Sequence, residues 1–393
     1  MAAMAAGELL RDREGTNNLA VVASASAMAD DDAPSPGGVR TTAKKDAAMA
    51  GGNDVLLSDG HEEDGGDGEF RRMEKTKRYV VYSSADCHYL AERVCNELGL
   101  PLGKVIRKTF VGGESYYRID LKERYDLIGK DVIHVCSTCT DADLLELIRL
   151  GCAYSAYGSR RRIFVIPFLG YSTMERQVLP GEVVTAKVNA RLLSSIPCSK
   201  LGNVFLFVDL HVQTLLQYME GPHVRMELYA MEVLLKGVRD HLDLTSEPFM
   251  FASADLGRPL WVESFAKRFG VDVAFVRKAR DFDVTRVQSV VGSVAGKHVI
   301  IYDDMTRSGG TLIKAAQAYI DEGATRVSAV LSHLALASDE VVRRLIESPV
   351  ATIIATNTHP MSRAQSVLSA SDKFKIVDIT PVLVAALSKL MLE

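Results

Sequence analysis

The 393-residue chain lacks the marks of several protein classes. Its six cysteines are scattered rather than set in a framework, which excludes a disulfide-stapled scaffold and suits free thiols in a reducing compartment. The one close pair, Cys136 and Cys139 in CSTC, has no second pair at zinc spacing, so a structural zinc site is not expected. No window approaches the ~20 uninterrupted apolar residues of a membrane-spanning helix. Long basic runs are missing and the net charge is −4, which argues against nucleic acid as a partner. Neither G-x-G-x-x-G nor a loop ending in Gly-Lys-Ser/Thr occurs where a phosphate loop is otherwise suggested, which excludes a Rossmann fingerprint and a Walker A loop there. A secretory apolar core is also missing.

What is present is ordinary globular material, with 47% hydrophobic and 24% charged residues, enough for a large core. The length exceeds one compact domain, so two are expected. Residues 1–75 are set apart by Ala, Gly, Asp and Ser. The stretch DGHEEDGGDGE, Asp59 to Glu69, buries too little apolar surface to offset its ordering entropy, so a disordered tail is expected. Asp12, Glu14 and Asp30 to Asp32 do not suit an acid-poor transit peptide, so a cytoplasmic protein is expected, with an organelle as the alternative.

From about Arg78 onward, short apolar runs alternate with helical patterns. DVIHVCS, RIFVIPF and NVFLFVDL read as buried strands in one half. FMFAS, VDVAFV, HVIIYDD, RVSAVLS and VATIIAT do so in the other. Strands buried on both faces and separated by helices predict an α/β fold with a mostly parallel sheet in each half, over residues 76–230 and 231–393. VFLFVDLH and VIIYDDMT both run an apolar strand into an acid, at the carboxyl end where open α/β sheets bind ligands. Trp261 and Phe265, four apart, are expected on the core face of a helix, and Arg160 to Arg162 on a solvated strand edge.

The stretch VIIYDDMTRSGGTL, Val299 to Leu312, is the most informative. Val299 to Tyr302 predict a strand, Asp303 and Asp304 stand at its end, and Thr306, Arg307, Ser308, Gly309, Gly310 and Thr311 predict a turn into a helix from Leu312. A small-residue turn opening a helix points free N–H groups and the helix dipole at one spot, which suits a phosphate. The two carboxylates cannot face that phosphate, but they suit sugar hydroxyls or a hydrated cation. A ligand with a phosphate at one end and a ribose diol in the middle satisfies both.

This stretch resembles the phosphoribosyl-diphosphate loop of type I phosphoribosyltransferases. Further segments narrow the resemblance to the ribose-phosphate pyrophosphokinases. They are FVGGESYYRID (Phe110 to Asp120), IPFLGYSTMERQVLPGEVVTAK (Ile166 to Lys187), VDLH (Val208 to His211), SADLGRP (Ser253 to Pro259), VRKAR (Val276 to Arg280) and ATNT (Ala355 to Thr358). The resemblance implies two tandem phosphoribosyltransferase type I-like domains, the last helix packing back on the first domain. It implies transfer of the pyrophosphoryl group of ATP to the anomeric hydroxyl of ribose 5-phosphate, with Mg²⁺ as cofactor, in a homo-oligomer, a dimer or hexamer. It also implies residue roles. Lys278 and Arg280 are catalytic cations at the start of a flexible loop. Asp303, Asp304 and Thr306 to Thr311 bind the sugar phosphate. Glu114, Arg176 and His211 contact the nucleotide, and Asp209, His211 and Asp255 form the metal site. For His211 the chemistry favours phosphate or outer-shell contact, because magnesium prefers oxygen. Asp255 also suits the N-cap of a helix from Leu256.

The chain departs from the family pattern on its nucleotide side. Thr173, Met174, Glu175 and Arg176 stand where the family usually shows Arg-Gln-Asp-Arg, and Gly112 replaces an Asp. Arg307 replaces an Asp in the sugar-phosphate loop. These departures leave a non-catalytic regulatory subunit as one alternative. A phosphoribosyltransferase is another, disfavoured because one such domain leaves the first half without a role.

Overall fold

The computed structural model describes residues 76–198, 201–255, 259–281 and 284–392, and the side chains of 278–288 are also outside the description. The expected acidic tail therefore lies outside the described residues.

The first half carries a five-stranded sheet in the order β1 (Tyr79–Ser83), β4 (Asp131–Val135), β5 (Arg161–Ile166), β6 (Asn203–Val208), β7 (Val224–Leu228), parallel throughout. Every residue of β4, β5 and β6 is buried, as continuous apolar runs covered on both faces require. Helices α1 (His88–Leu98), α2 (Asp141–Ala156) and α3 (Thr185–Ser194) connect them. The Thr140 hydroxyl accepts from Asp143 N while the Asp143 carboxylate accepts from Thr140 N, a capping box that fixes where α2 starts. A separate antiparallel hairpin, β2 (Val105–Thr109) with β3 (Ser115–Ile119), carries the fully exposed Val111 in its turn.

The second half holds seven strands in the order β10 (Val284–Val291), β9 (Val273–Asp281), β8 (Phe249–Ser253), β11 (His298–Thr306), β12 (Arg326–Leu334), β13 (Val350–Thr356), β14 (Phe374–Val377). Only the β9–β10 pair is antiparallel. Its helices are α4 (Met231–His241), α5 (Pro259–Phe269), α6 (Gly310–Asp321), α7 (Asp339–Ile346), α8 (Gln365–Ser369) and α9 (Thr380–Met391). One buried cluster runs through both halves, from Val81 and Leu90 to Phe251, Ile300 and Leu383. The C-terminal helix α9 closes onto the first half, where Tyr79 Oη donates to Met391 O at 3.3 Å.

One local expectation changes. The arginine run is not a solvated edge, since Arg161 and Arg162 are only 6% and 1% exposed. Arg160 grips the buried Asp131 carboxylate at 2.7 and 2.5 Å, and Arg161 donates to Leu390 O at 2.8 Å. Arg162 donates to Asn203 Oδ1 at 2.9 Å and Pro197 O at 2.8 Å. A guanidinium is buried where carboxylate and carbonyl acceptors satisfy its fork, and charge alone in the sequence does not show those acceptors. The backbone at Lys278 and Arg280, where the flexible loop is expected to start, is a strand paired with Val287 and Thr285. The expected N-cap role of Asp255 concerns a helix start at Leu256, which lies outside the described residues.

Candidate functional site

Strand β11 runs four residues past the expected end at Tyr302. Pairing with β8 stops at Tyr302–Ser253, while pairing with β12 continues to Thr306–Leu334. The segment Asp303–Thr306 is therefore held on one edge and open on the other, beside the loop that contains Asp255. Alternation along the strand sends Asp303 and Asp304 to opposite faces. Asp304 is 3% exposed, and its Oδ2 accepts from His211 Nδ1 at 2.8 Å. Asp303 Oδ1 accepts from the Asp304 amide at 2.9 Å. Burial pushes the Asp303 carboxyl well above its ordinary pKa, and the charges of Asp304 and Asp255 push it the same way.

The turn is shorter than the sequence suggests, because α6 starts at Gly310 rather than Leu312. Gly309 sits at its N-cap with φ 71°, in the left-handed region, and a Cβ there would meet Leu345 at 3.1 Å. At Gly310 a Cβ would meet nothing nearer than Ser308 Oγ at 3.5 Å, so the backbone is open to a ligand. Arg307, Ser308 and Thr311 are exposed around this opening, and Thr306 is buried beneath it. The first-turn amides of α6 and two hydroxyls thus lie around one opening, an arrangement that can take an anion.

The end of β6 reaches this cleft from the other half. Asp209 has φ 39°, unusual for a residue with a Cβ, and several partners hold it there. Its carboxylate accepts from Ser332 Oγ at 2.5 Å and from Ala230 N at 3.2 Å. Its carbonyl accepts from His333 Nε2 at 3.1 Å. Because Ser332 Oγ gives its proton to Asp209, Tyr302 Oη, at 3.2 Å, donates to Ser332 in turn. The turn after Asp209 then delivers His211 to Asp304. Ser332, His333 and Tyr302 were not picked out from sequence. The available signal is a Ser-His pair inside the mostly apolar run RVSAVLSHL, whose polar atoms need partners once buried.

Among the described residues no hydrogen bond or ion pair joins Glu114 or Arg176 to this junction. Glu114 is exposed at the base of the β2–β3 turn. Arg176 is exposed and pairs with Glu175 at 3.1 Å. The side chains of Lys278 and Arg280 lie outside the described residues. Trp261 and Phe265 stack on Tyr302 at centroid distances of 6.2 and 4.5 Å, packing behind the acid pair.

Fold and site together define a two-sheet α/β protein with an acid-pair and glycine-turn loop at the carboxyl end of a central strand, completed by a strand end from the other half. Residues 79–196 match the family model described as the N-terminal domain of ribose phosphate pyrophosphokinase, and residues 283–392 match the phosphoribosyl synthetase-associated domain. Ribose-phosphate pyrophosphokinase of Rhizobium meliloti is 32% identical over 289 residues, 73% of this chain and 89% of that protein. That of Porphyromonas gingivalis is 30% identical over 307 residues, 77% of this chain and 94% of that protein. The chain belongs to the ribose-phosphate pyrophosphokinase family. A crystal structure of phosphoribosylpyrophosphate synthetase from Mycobacterium smegmatis shares the fold, with TM-score 0.69 and 24% identity, over 80% of this chain and 99% of that one.

Proposed function

We propose that this chain is a working ribose-phosphate diphosphokinase whose cleft at the junction of β6 and β11 takes ribose 5-phosphate. The observation that carries the reading is the contact of His211 with Asp304 at 2.8 Å, which brings a strand end of each half to one sugar-phosphate loop. The 5-phosphate rests on the amides at the start of α6 with the Ser308 and Thr311 hydroxyls, and Arg307 adds a cation beside it. Asp303 and Asp304 accept from the ribose diol. The anomeric oxygen attacks the β-phosphorus of ATP in line, the bond to the bridging oxygen breaks, and AMP leaves. Charge develops on phosphoryl oxygens, so positioned cations contribute most of the catalysis, and Lys278 and Arg280 are assigned that part.

The residues present fit magnesium. Among the described residues no group of three or more His, Cys, Asp or Glu side chains encloses an ion. Magnesium commonly binds through one or two carboxylates, several waters and substrate phosphates. Burial first, and then the charges of Asp304 and Asp255, raise the pKa of Asp303, and a divalent cation relieves the charge repulsion. When bound, the ion neutralises phosphate charge. Asp255 and the pair are the acids that would hold it. Asp209, closed by Ser332 and Ala230, instead positions His211. Glu114 and Arg176 on the exposed first-half surface are assigned to the nucleotide, with assembly into dimers or hexamers completing their surroundings.

The test is incubation of purified protein with ATP, Mg²⁺ and ribose 5-phosphate, with detection of AMP and phosphoribosyl diphosphate. Lys278→Ala is expected to lower kcat by ~10³-fold, as loss of a cation on a transferring phosphoryl group does, with ribose 5-phosphate binding retained. Binding of the sugar without AMP formation by the wild type would favour a regulatory subunit instead.

A further inference from the structure

Two consecutive residues of β12 reach one residue of the other half. Ser332 Oγ donates to the Asp209 carboxylate at 2.5 Å, and His333 Nε2 lies 3.1 Å from the Asp209 carbonyl. Neighbours on a regular strand point to opposite faces, so a regular β12 would not send both to the same partner. Its pairing with β13 shows the device. Leu331 faces Ala355 and His333 faces Thr356, so β12 carries one residue more than β13 at Ser332. Such an irregularity re-aims the side chains beside it. Thr356 Oγ1 donates to the Ser332 carbonyl at 2.5 Å and holds the extra residue in place.

The ring of His333 is fixed at both nitrogens. It is buried, with Phe168 edge-on at 5.2 Å. A carbonyl only accepts, so Nε2 carries the proton toward Asp209 and Nδ1 is left as an acceptor. Thr358 Oγ1, 2.7 Å away, donates to it. Thr358 is itself buried, and its carbonyl accepts from Ser137 Oγ of the first half at 2.8 Å. The ATNT stretch thus supplies two hydroxyls, one for the irregular turn of β12 and one for the ring.

Asp209 sits at φ 39°, a conformation that persists only where the surroundings over-determine it. The peptide that follows is held on both sides, its carbonyl by His333 and its Leu210 amide by Glu227 Oε1 at 2.9 Å. The direction of that peptide sets where His211, the second residue after Asp209, projects. Resting on the diphosphokinase reading of this cleft, we propose that His333 is a positioning residue for the reaction. By holding the Asp209 carbonyl it keeps the His211 ring on Asp304. It acts through His211 and is not itself a catalytic group.

The experiment compares His333→Gln with His333→Asn in the full chain. Gln places an amide N–H near the position of Nε2, whereas Asn reaches only to the position of Nδ1. His333→Asn should lower kcat ~10-fold, as much as His211→Gln does, because it acts through that ring. His333→Gln should retain most of the wild-type kcat. Added to His211→Gln, His333→Asn should cost nothing further, since residues that act through one another are not additive. A readout free of turnover is the downfield proton of His211 Nδ1, bonded to Asp304, seen by NMR in protein with isotopically labelled histidine. That signal, assigned by its loss in His211→Gln, should persist in His333→Gln and be lost in His333→Asn. Should His333→Asn fail to fold, His333→Met, of similar volume and without a donor, takes its place. The proposal is overturned if His333→Asn keeps either the signal or the wild-type kcat, if His333→Gln is as impaired as His333→Asn, or if the two losses add. A wild type that forms no AMP would end the diphosphokinase reading, while the imidazole signal would still decide whether His333 holds His211 in place.

Discussion

Asp209 at the end of β6 and Asp303 at the end of β11 follow the same pattern, an apolar strand running into an acid, yet their surroundings are opposite. Asp209 is 3% exposed and closed, with Ser332 Oγ and Ala230 N on its carboxylate and His333 on its carbonyl. Asp303 is mostly buried, accepts from its neighbour's amide, and faces two further acids. A satisfied carboxylate contributes to folding. A carboxylate crowded by like charges costs stability and is kept where a ligand or cation relieves the repulsion. The first strand end therefore holds the junction together, and the second is the one the proposed function assigns to substrate.

The largest effect expected to test this contrast is at Asp303. Asp303→Asn should lower kcat/KM for ribose 5-phosphate by ~10²–10³-fold, the usual range for removing one preorganised polar group from a site. The ligand-free protein should become more stable at neutral pH. The folded pKa of Asp303 lies above its unfolded value, so between the two the folded state binds more protons. Stability contributed by this group is present below the unfolded value and lost as pH rises through the folded one. Thermal melts of wild type and Asp303→Asn across pH should converge in acid and separate in favour of the variant as pH rises. Parallel curves would place the two acids in one class.

Asp209 should answer in the reverse way. Asp209→Ala leaves Ser332 Oγ and the Ala230 amide without their acceptor and costs about 2–3 kcal/mol, measured by denaturant unfolding. Activity should fall only as far as His211 is displaced. His211→Gln separates the two contributions. It replaces the donor to a buried carboxylate by a partly exposed, neutral one and costs about 1–2 kcal/mol of stability, while sugar-phosphate turnover falls ~10-fold if the ring acts on a phosphate.

The sequence made the second strand end far more legible than the first. Asp303, Asp304, Gly309 and Gly310 are contiguous, so a short window contains the strand, the acids, the turn and the helix start. The clamp on Asp209 joins residues 123 and 124 positions apart, and no local pattern encodes which buried serine or histidine will meet it. The alternation of apolar runs carried the sheets because burial on both faces of a parallel strand leaves a continuous hydrophobic trace. It missed β1, β7, β10 and β14, which lie at the sheet edges, and the β2–β3 hairpin, whose residues are largely exposed. The buried arginines were misjudged for the same reason as Asp209: their acceptors come from β4, β6 and α9, far away in sequence.

The smallest expected effects separate support from recognition within the loop itself. Gly309→Ala forces a Cβ into the left-handed region and against Leu345, and should cost about 1–2 kcal/mol of stability. Gly310→Ala meets only Ser308 Oγ, and alanine suits the first turn of a helix, so stability should shift by less than about 0.5 kcal/mol. The added methyl would nevertheless stand where the phosphate approaches the α6 amides, so KM for ribose 5-phosphate should rise while the melting temperature stays in place. If Gly310→Ala left KM unchanged, the sugar phosphate would not rest on this turn, and the difference between β11 and β6 would be one of packing alone.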